Sequence, residues 1–358
     1  MVALGVESPE EAIASIDLNV ILFLLALFVF TSALEVSGFF EYAAYRIVAK
    51  YRDPRKIMSV SFLVSGLPSS VASNDAIAAS FTPILLNVAR VLNVDERPFL
   101  YAVAFGVTVG SVMTPIGNPQ NVLVALEGNM PNPFLTFLVL AVPTAINLVV
   151  TPYLMSLEFR GLLPVKVTDP PFAELPPLKD KGLARLALAL LILTVVAGAV
   201  ASSLGYDMVF AFLIGAVILL VLTRKREAVI IGVDYPTLVL FLGLFMFVGG
   251  LKQGGVVDSI LAVLPGLNTV FGVMIVSVLL SQVISNVPLV ALLLPYVSSS
   301  NNSVPLLIAL AAGSTIAGNF TLLGAASNLI VSRASEIRGG EKTRLLGVHE
   351  IFRSGSPS

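Results

Sequence analysis

The stretch SNDAIAASFTP, at residues 73–83, decides the fold because it places a polar triplet with an aspartate inside a long apolar run. A second polar stretch, TPIGNPQN at residues 114–121, interrupts the next apolar run with two prolines and a glycine. In a bilayer every backbone polar group needs a partner, so a broken helix is tolerated only where protein or a water-filled cavity surrounds it. Both stretches therefore predict helix breaks deep inside a membrane protein.

Both stretches occur a second time, in the same order. Three blocks match at nearly constant offsets: Asp17 with Asp234 (217 residues), Ser73 and Asn74 with Ser285 and Asn286 (212 residues), and Thr114, Gly117 and Asn121 with Thr321, Gly324 and Asn328 (207 residues). Self-similarity at a fixed spacing indicates that one structural unit is used more than once. The chain is therefore predicted to contain two copies of one unit.

The composition favours an all-α polytopic membrane protein. The chain is 56% hydrophobic and 12% charged, against roughly 25% charged residues in an ordinary soluble domain. No formal charge occurs between Asp258 and Arg333, a run long enough for several membrane crossings. The chain has no cysteine, nucleophile–base pair or phosphate-binding glycine motif, which predicts neither an enzyme nor a bound cofactor. The expected surroundings are the lipid bilayer, with no nucleic-acid partner.

The apolar runs and their breaks divide the chain into four segments. These are a first repeat at residues 1–157, with a hairpin at 57–91 and an interrupted helix at 99–127; a cytoplasmic linker at 158–182; a second repeat at 183–335, with a hairpin at 267–300 and an interrupted helix at 303–332; and a polar cytoplasmic tail at 336–358. Each hairpin is predicted to be re-entrant, because it has polar residues at its centre and is too long for one crossing.

The positive charges predict the orientation. Short cytoplasmic loops collect Lys and Arg, and a first span running inward places all 21 Lys and Arg residues except Lys252 in cytoplasmic segments or at their edges. The same assignment sends the copy of that span, residues 235–251, outward, so the two repeats are predicted to have inverted topology. The expected location is the cell membrane, with multiple passes, the 57–91 hairpin opening to the cytoplasm and the C-terminal tail cytoplasmic.

Inverted repeats with broken helices are typical of secondary transporters. A helix that begins in the middle of the bilayer presents free N–H groups and the positive end of its dipole to an anion. The freed carbonyl groups and the side-chain oxygens of Asn, Ser and Thr suit a small hard cation. The pattern therefore predicts an ion-coupled carrier in which sodium or a proton is the coupling ion.

Four motifs together resemble a known family: SNDAIAASFTP, TPIGNPQNVLVA, SNVPLVALLLP and STIAGNFTLLGAASNLIV. They are similar to the ion transporter superfamily, and within it to the anion permeases of the arsenite permease and sodium/proton antiporter group, which has a citrate-transporter-like domain. The resemblance covers nearly the whole chain and implies an elevator-type carrier. By this resemblance, the helices that flank this region in the family have no equivalent here. We therefore expect either a truncated form of a longer protein or a reduced carrier that needs a partner.

The resemblance and the repeat give the candidate site residues. The expected substrate-binding residues are Asn74, Asp75, Thr114 and Asn118 in the first half and Asn286, Val287, Thr321 and Ala325 in the second. The expected sodium ligands are Ser73, Asn74, Gly117, Ser285, Asn286 and Gly324. Asn121 and Asn328 are expected to hold the broken backbone together, and Glu35 and Lys252 to be surface anchors.

Two functions remain open. The favoured one is ion-coupled transport of a small anion, either an inorganic oxyanion such as arsenite or a small carboxylate, by a monomer or homodimer. The alternative is a sodium/proton antiporter in which Asp75 exchanges the two ions, because a carboxylate near the bilayer centre is costly unless it has a function. The related dicarboxylate carriers have threonine where this chain has Asp75 and Val287, which weakens the case for a dicarboxylate substrate.

Overall fold

The computed structural model describes residues 6–163, 177–257, 259, 264, 266–321 and 325–337. Its helices, in chain order, are α1 (Pro9–Ala14), α2 (Leu18–Val36), α3 (Phe39–Val48), α4 (Pro54–Ser69), α5 (Asn74–Leu92), α6 (Arg97–Ser111), α7 (Pro119–Glu127), α8 (Pro133–Phe137), α9 (Ala141–Glu158), α10 (Lys181–Ser203), α11 (Met208–Leu222), α12 (Arg226–Ile231), α13 (Tyr235–Gln253), α14 (Val270–Ile284), α15 (Asn286–Ser298), α16 (Ser303–Ile316) and α17 (Ala326–Ile337). Most of the predicted linker, the predicted tail beyond residue 337 and Gly324 lie outside the described residues.

The prediction of an all-helical membrane protein is confirmed. Within the described part of the chain, five helical runs are long and apolar enough to cross a bilayer: Leu18–Val36, Asn74–Leu92, Pro133–Gly161, Lys181–Ser203 and Tyr235–Gln253. The helices α9, α10 and α11 expose many large apolar side chains, such as Val149, Leu193 and Val221. Exposed apolar surface of this extent fits contact with lipid rather than with water.

Side-chain caps fix where several helices begin. Asp17 accepts a hydrogen bond from the Val20 N–H at the start of α2, and Asp234 accepts one from the Thr237 N–H at the start of α13, each at 3.1 Å. A carboxylate at this position satisfies an N–H group that the helix itself leaves free. The two caps occupy equivalent positions in the internal repeat, so matched residues start matched helices.

Four helix breaks lie in the matched stretches. The first separates α4 from α5, and the second separates α14 from α15 at Ser285, whose φ of 66° is in the left-handed region. The third separates α6 from α7, and the fourth follows α16, where a short turn at Ala317–Asn319 precedes the start of α17. Each predicted hairpin and each predicted interrupted helix thus contains two helices with a break between them.

Close packing of small residues positions the breaks. Helix α4 packs along α6 so tightly that a Cβ atom at Gly110 would overlap the carbonyl oxygen of Gly66. Helix α14 packs along α16 in the same way, and a Cβ atom at Gly313 would lie 2.9 Å from the carbonyl oxygen of Met274. Small residues at such contacts let two backbones approach within a membrane. Each interrupted helix is therefore held against the first arm of its own hairpin.

The two halves also interlock. Helix α5, the second arm of the first hairpin, packs on α17 from the second half, and α15 packs on α7 from the first half. This exchange brings the breaks of both halves into one region of the molecule. The inverted orientation of the two halves stays a prediction.

Candidate functional site

The breaks of the two halves meet in a cluster of amide and hydroxyl groups. Ser111 ends α6, and its Oγ accepts hydrogen bonds from the Nδ2 atoms of Asn74 (3.2 Å) and Asn118 (3.3 Å). Asn118 Nδ2 also donates to Thr315 Oγ1 at 3.1 Å, and Gln120 Nε2 donates to the same oxygen at 3.4 Å. We call these five residues the central polar network; it joins the first hairpin, the first break and the last turn of α16.

Two asparagines hold the broken backbones in matching ways. Asn121 Nδ2 donates to the carbonyl oxygens of Ser111 (3.1 Å) and Thr114 (2.9 Å). Asn328 Nδ2 donates to the carbonyl oxygens of Gly318 (2.6 Å) and Thr321 (3.1 Å), which occupy the equivalent positions 207 residues later. The prediction that Asn121 and Asn328 tie the backbone together is confirmed.

The two threonines predicted to line the breaks use their hydroxyl groups to bind the hairpins. Thr114 Oγ1 donates to the carbonyl oxygen of Ser70, and Thr321 Oγ1 donates to Gln282 Oε1 at 2.6 Å. Residues 70 and 282 are themselves equivalent in the repeat, so the hairpin and the break of each half are joined at the same point. Contact of either threonine with a substrate stays a prediction.

The remaining second-half residues lie around the same junction. Ala325 is close to Gly318, because a Cβ atom at Gly318 would lie 3.0 Å from Ala325 Cβ and 3.4 Å from Thr108 Cγ2 on α6. Asn286 is buried, and its Oδ1 accepts a hydrogen bond from Ser285 Oγ at 3.3 Å. Val287 is half-buried and packs on the hydrophobic core. Among the described residues, no hydrogen bond joins this tip to the central polar network.

Position 117 requires glycine because the backbone of Ser111 lies close to it. A Cβ atom there would overlap the backbone of Ser111, which the same loop folds over. Any side chain at this position would therefore move Ser111 and the donors that converge on it. The role of Gly117 and Ser73 as sodium ligands stays a prediction.

The central polar network is uncharged and has a free acceptor. Ser111, Asn118, Gln120 and Thr315 are buried, and the hydrogen bonds given for them in the described ranges involve no Lys or Arg. Asn74 Oδ1 is buried and has no hydrogen-bond partner among the described residues. An unpaired buried acceptor costs about 1–3 kcal/mol, so a bound hydroxyl donor or a small cation would satisfy it.

Asp75 lies apart from this network. Its side chain lines a cavity of about 400 Å³ together with Glu35, Asp234 and Ser73. In the part of the chain that the structure describes, no three carboxylate or histidine side chains are close enough to hold a metal ion together. The predicted set of site residues is thus divided between an uncharged network and an acidic cavity.

Three members of the central polar network were not singled out from the sequence: Ser111, Gln120 and Thr315. Ser111 and Thr315 lie within long apolar helices, where isolated hydroxyl groups are common. The repeat carries one signal, because Thr315 is the counterpart of Thr108 and both lie just before a break. Glu35 was expected to be a surface anchor, and the structure places it on the same cavity as Asp75.

Comparison with known proteins identifies the family. The sequence pattern of the CitMHS family, described as a citrate transporter, matches residues 1–304. The chain belongs to the CitMHS family. This confirms the resemblance to the citrate-transporter-like group and makes the protein a membrane transporter rather than an enzyme.

Individual relatives agree with this assignment. The 46 kDa membrane protein of Mycobacterium leprae is 30% identical over 90% of this chain and 80% of its own length. The silicon efflux transporter LSI3 of Oryza sativa subsp. japonica is 28% identical over 92% of this chain and 82% of its own. The inner membrane protein YbiR of Escherichia coli K12 is 28% identical over 92% of this chain and 83% of its own. The chain is a multi-pass membrane protein.

A solved structure shares the fold. The YdaH transporter of Alcanivorax borkumensis superposes with a TM-score of 0.61 over 93% of this chain and 80% of its own, at 14% sequence identity. Similarity at this level of identity concerns the arrangement of helices alone. The chain therefore has the fold of a known transporter.

Proposed function

We propose that the protein is an ion-coupled secondary transporter that carries a small oxyacid or its anion by an elevator-type movement. The observation that carries the proposal is the central polar network, where Asn74, Asn118 and Thr315 converge at the broken end of α6. Its groups can donate to and accept from the oxygen atoms of a solute such as arsenite or a small carboxylate.

The helix lengths support a movement of hairpins. Helix α15 has 13 residues, which span about 20 Å, less than the roughly 30 Å of the hydrocarbon core. A pair of helices of this length suits an arm that enters and leaves on one side. Inverted repeats, with the 57–91 hairpin opening to the cytoplasm and the 267–300 hairpin to the other side, would then provide alternating access.

The charge of the site bears on the substrate class. The network offers amide and hydroxyl groups to a solute and offers no Lys or Arg within the described residues. Burying an unpaired multiple charge is expensive, so a trianion such as fully ionised citrate is a poor fit unless cations accompany it. A weak oxyacid bound in its neutral form needs no such compensation. The family description names citrate and the relative LSI3 names silicon, so both chemistries belong in the test.

Counterflow in proteoliposomes tests the proposal. Vesicles preloaded with arsenite, citrate or silicic acid are diluted into the same labelled solute with no ion gradient. We expect exchange of at least one probe, and we expect Asn118→Ala to lower its rate at least about tenfold, the effect of 1.4 kcal/mol. Asn147→Ala is the matched control, because Asn147 is exposed on α9 and donates only to the Pro143 carbonyl of its own helix. Equal rates in the two variants would contradict a binding role for the network.

A sodium/proton antiporter is the second candidate. The observation that favours it is the position of Asp75, whose side chain lines the cavity shared with Glu35 and Asp234 and forms no hydrogen bond or ion pair within the described ranges. An antiporter would move protons in response to a sodium gradient without any of the three solutes. Asp75→Asn would abolish that proton movement. A solute carrier, in contrast, would move protons only when one of the three solutes is present.

A further inference from the structure

The cavity beside Asp75 runs inward from solvent. Glu35 and Gly232 are exposed at its outer end, Asp75 is half-buried, and Thr31 at the inner end is only 6% exposed. The lining residues come from α2, α5, the start of α13 and α17. The cavity therefore connects the surface with the tip of the first hairpin without passing through the central polar network. We call it the acidic cavity.

The charge of the acidic cavity is negative. Glu35, Asp75 and Asp234 line it, and none of the described residues in its lining is Lys or Arg. Asp234 is held by the α13 cap, where it also accepts a hydrogen bond from Thr237 Oγ1 at 2.6 Å. In the described part of the chain, the side chains of Glu35 and Asp75 form no hydrogen bond and no ion pair. Their carboxylates face the cavity and not a protein partner.

The basic residue near the outer end does not neutralise this charge. Lys179 acts on Glu35 electrostatically, but its ammonium group forms an ion pair with Glu41 at 2.7 Å. Glu41 and Asp234 also act on Glu35 electrostatically and add negative charge near it. The charged groups packed around Glu35 therefore leave a net negative field, which attracts cations and repels anions.

A hydroxyl group at the inner end has no partner. Thr31 Oγ1 is buried in the lining of the cavity and has no hydrogen bond within the described residues. A threonine in a helix commonly donates to the carbonyl group one turn earlier, and the neighbouring α5 shows this for Thr82, which donates to the Ala78 carbonyl at 2.7 Å. The free oxygen of Thr31 is therefore available to a small ligand in the cavity, and hydroxyl oxygen suits a small hard cation.

We propose that the acidic cavity is the access route and transient binding site for a monovalent coupling cation, a proton or Na⁺, which passes Glu35 to reach Asp75 in the cavity that Thr31 also lines. The inference rests on the proposed function and assigns the coupling ion a path separate from that of the solute. The three carboxylates do not converge on one point, so the site binds its cation weakly and releases it readily. Glu35 attracts the cation, and Asp75 binds it at the tip of the first hairpin.

Thiol chemistry tests the electrostatic claim without any transported solute. The chain has no cysteine, so a single introduced cysteine is the only target of a methanethiosulfonate reagent. Ala79→Cys places that target on the wall of the acidic cavity, and Asn301→Cys places one as the control in the exposed loop at residues 298–302, which has no charged residue. We expect the ratio of the cationic to the anionic reaction rate to be at least about fivefold higher for Ala79→Cys, as one or two carboxylates within several ångströms would produce.

The same measurement assigns the preference to a residue. Adding Glu35→Gln to Ala79→Cys is expected to lower the rate ratio severalfold, whereas adding Glu227→Gln, which removes an exposed carboxylate on α12, leaves it unchanged. Equal ratios for Ala79→Cys and Asn301→Cys would overturn the proposal. Monodisperse elution of each variant in detergent verifies that it is folded.

Coupling is then measured in proteoliposomes with the full chain. The probe that exchanges in the counterflow assay is used, and its uptake is driven by a proton gradient or by a sodium gradient. We expect Glu35→Gln to lower this driven uptake at least about tenfold and to retain gradient-free exchange. The gradient that drives uptake identifies the cation. Driven uptake in Glu35→Gln equal to that in Glu227→Gln would refute the inference. Loss of exchange of every probe in the unmodified protein would refute the proposed function instead, and the thiol result would stand independently.

Discussion

Removing the hydroxyl group of Thr315 should weaken the contact between the two halves and lower the stability of the protein. Thr315→Val keeps the shape of a fully buried side chain but removes Oγ1, which accepts from Asn118 (3.1 Å) and Gln120 (3.4 Å) and donates to Asn121 Oδ1 at 3.3 Å. Asn118 keeps its bonds to Ser111. Gln120 Nε2 and Asn121 Oδ1 lose the hydrogen bond that the structure gives them.

The size of the effect follows from this count. A buried polar group left unpaired costs about 1–3 kcal/mol, so two such groups predict a loss of about 2–6 kcal/mol. Thr82→Val is the matched control, because Thr82 is equally buried but donates only to the Ala78 carbonyl of its own helix. That carbonyl keeps its backbone partner, and the control should cost less than about 1 kcal/mol.

Thermal unfolding in detergent measures the difference. Far-UV circular dichroism and the loss of the monodisperse size-exclusion peak on heating should both give an apparent Tm for Thr315→Val several degrees below that of Thr82→Val. If the two variants unfold at the same temperature, the hydroxyl of Thr315 does not bridge the halves and the central polar network is misassigned.

Two further predictions concern helix packing and charge. Gly110→Ala should lower the free energy of unfolding by about 1–3 kcal/mol, because the new Cβ meets the Gly66 carbonyl oxygen. The control is Gly243→Ala in α13, which has open space around it and should raise stability by up to about 1 kcal/mol. Equal Tm values for the two variants would refute the close packing. The Leu183 N–H and then the Lys225 ammonium hold the pKa of Asp180 below its usual range. The small contribution of the Asp180 carboxylate to stability is thus fully present above the unfolded pKa of about 3.9 and is lost as pH falls through the lower folded pKa. Asp180→Asn should therefore show a smaller acid-induced drop in Tm than the unmodified protein.

The helix breaks could be predicted because their residues are conspicuous in apolar sequence. Proline, glycine and amide side chains mark the start of α5 at Asn74 and of α7 at Pro119, and the internal repeat indicates the same features around Asn286. The function of Asn121 and Asn328 followed from the same logic, because a broken backbone needs donors for its free carbonyl groups.

The meeting of the breaks could not be predicted from local pattern. Thr315 and Asn118 are 197 residues apart, and their contact depends on how α16 packs on α7 and α6. Neighbouring residues also separate in space, because each residue of a helix is rotated by about 100° from the one before it. Asn74 therefore points to Ser111 while Asp75 lines the acidic cavity. Glu35 joins that cavity only because the end of α2 lies beside the start of α13.

The matched asparagines reveal an imbalance between the halves. Asn121 and Asn328 brace their loops alike, yet the position of Ser111 is taken by Gly318 in the second copy, and that of Asn118 by Ala325. One copy thus supplies most side chains of the central polar network, and its counterpart supplies mainly framework. Under the proposed function, cargo bound at this junction would be held off-centre, nearer the first copy, and its departure toward the two sides of the membrane would cross barriers of different height.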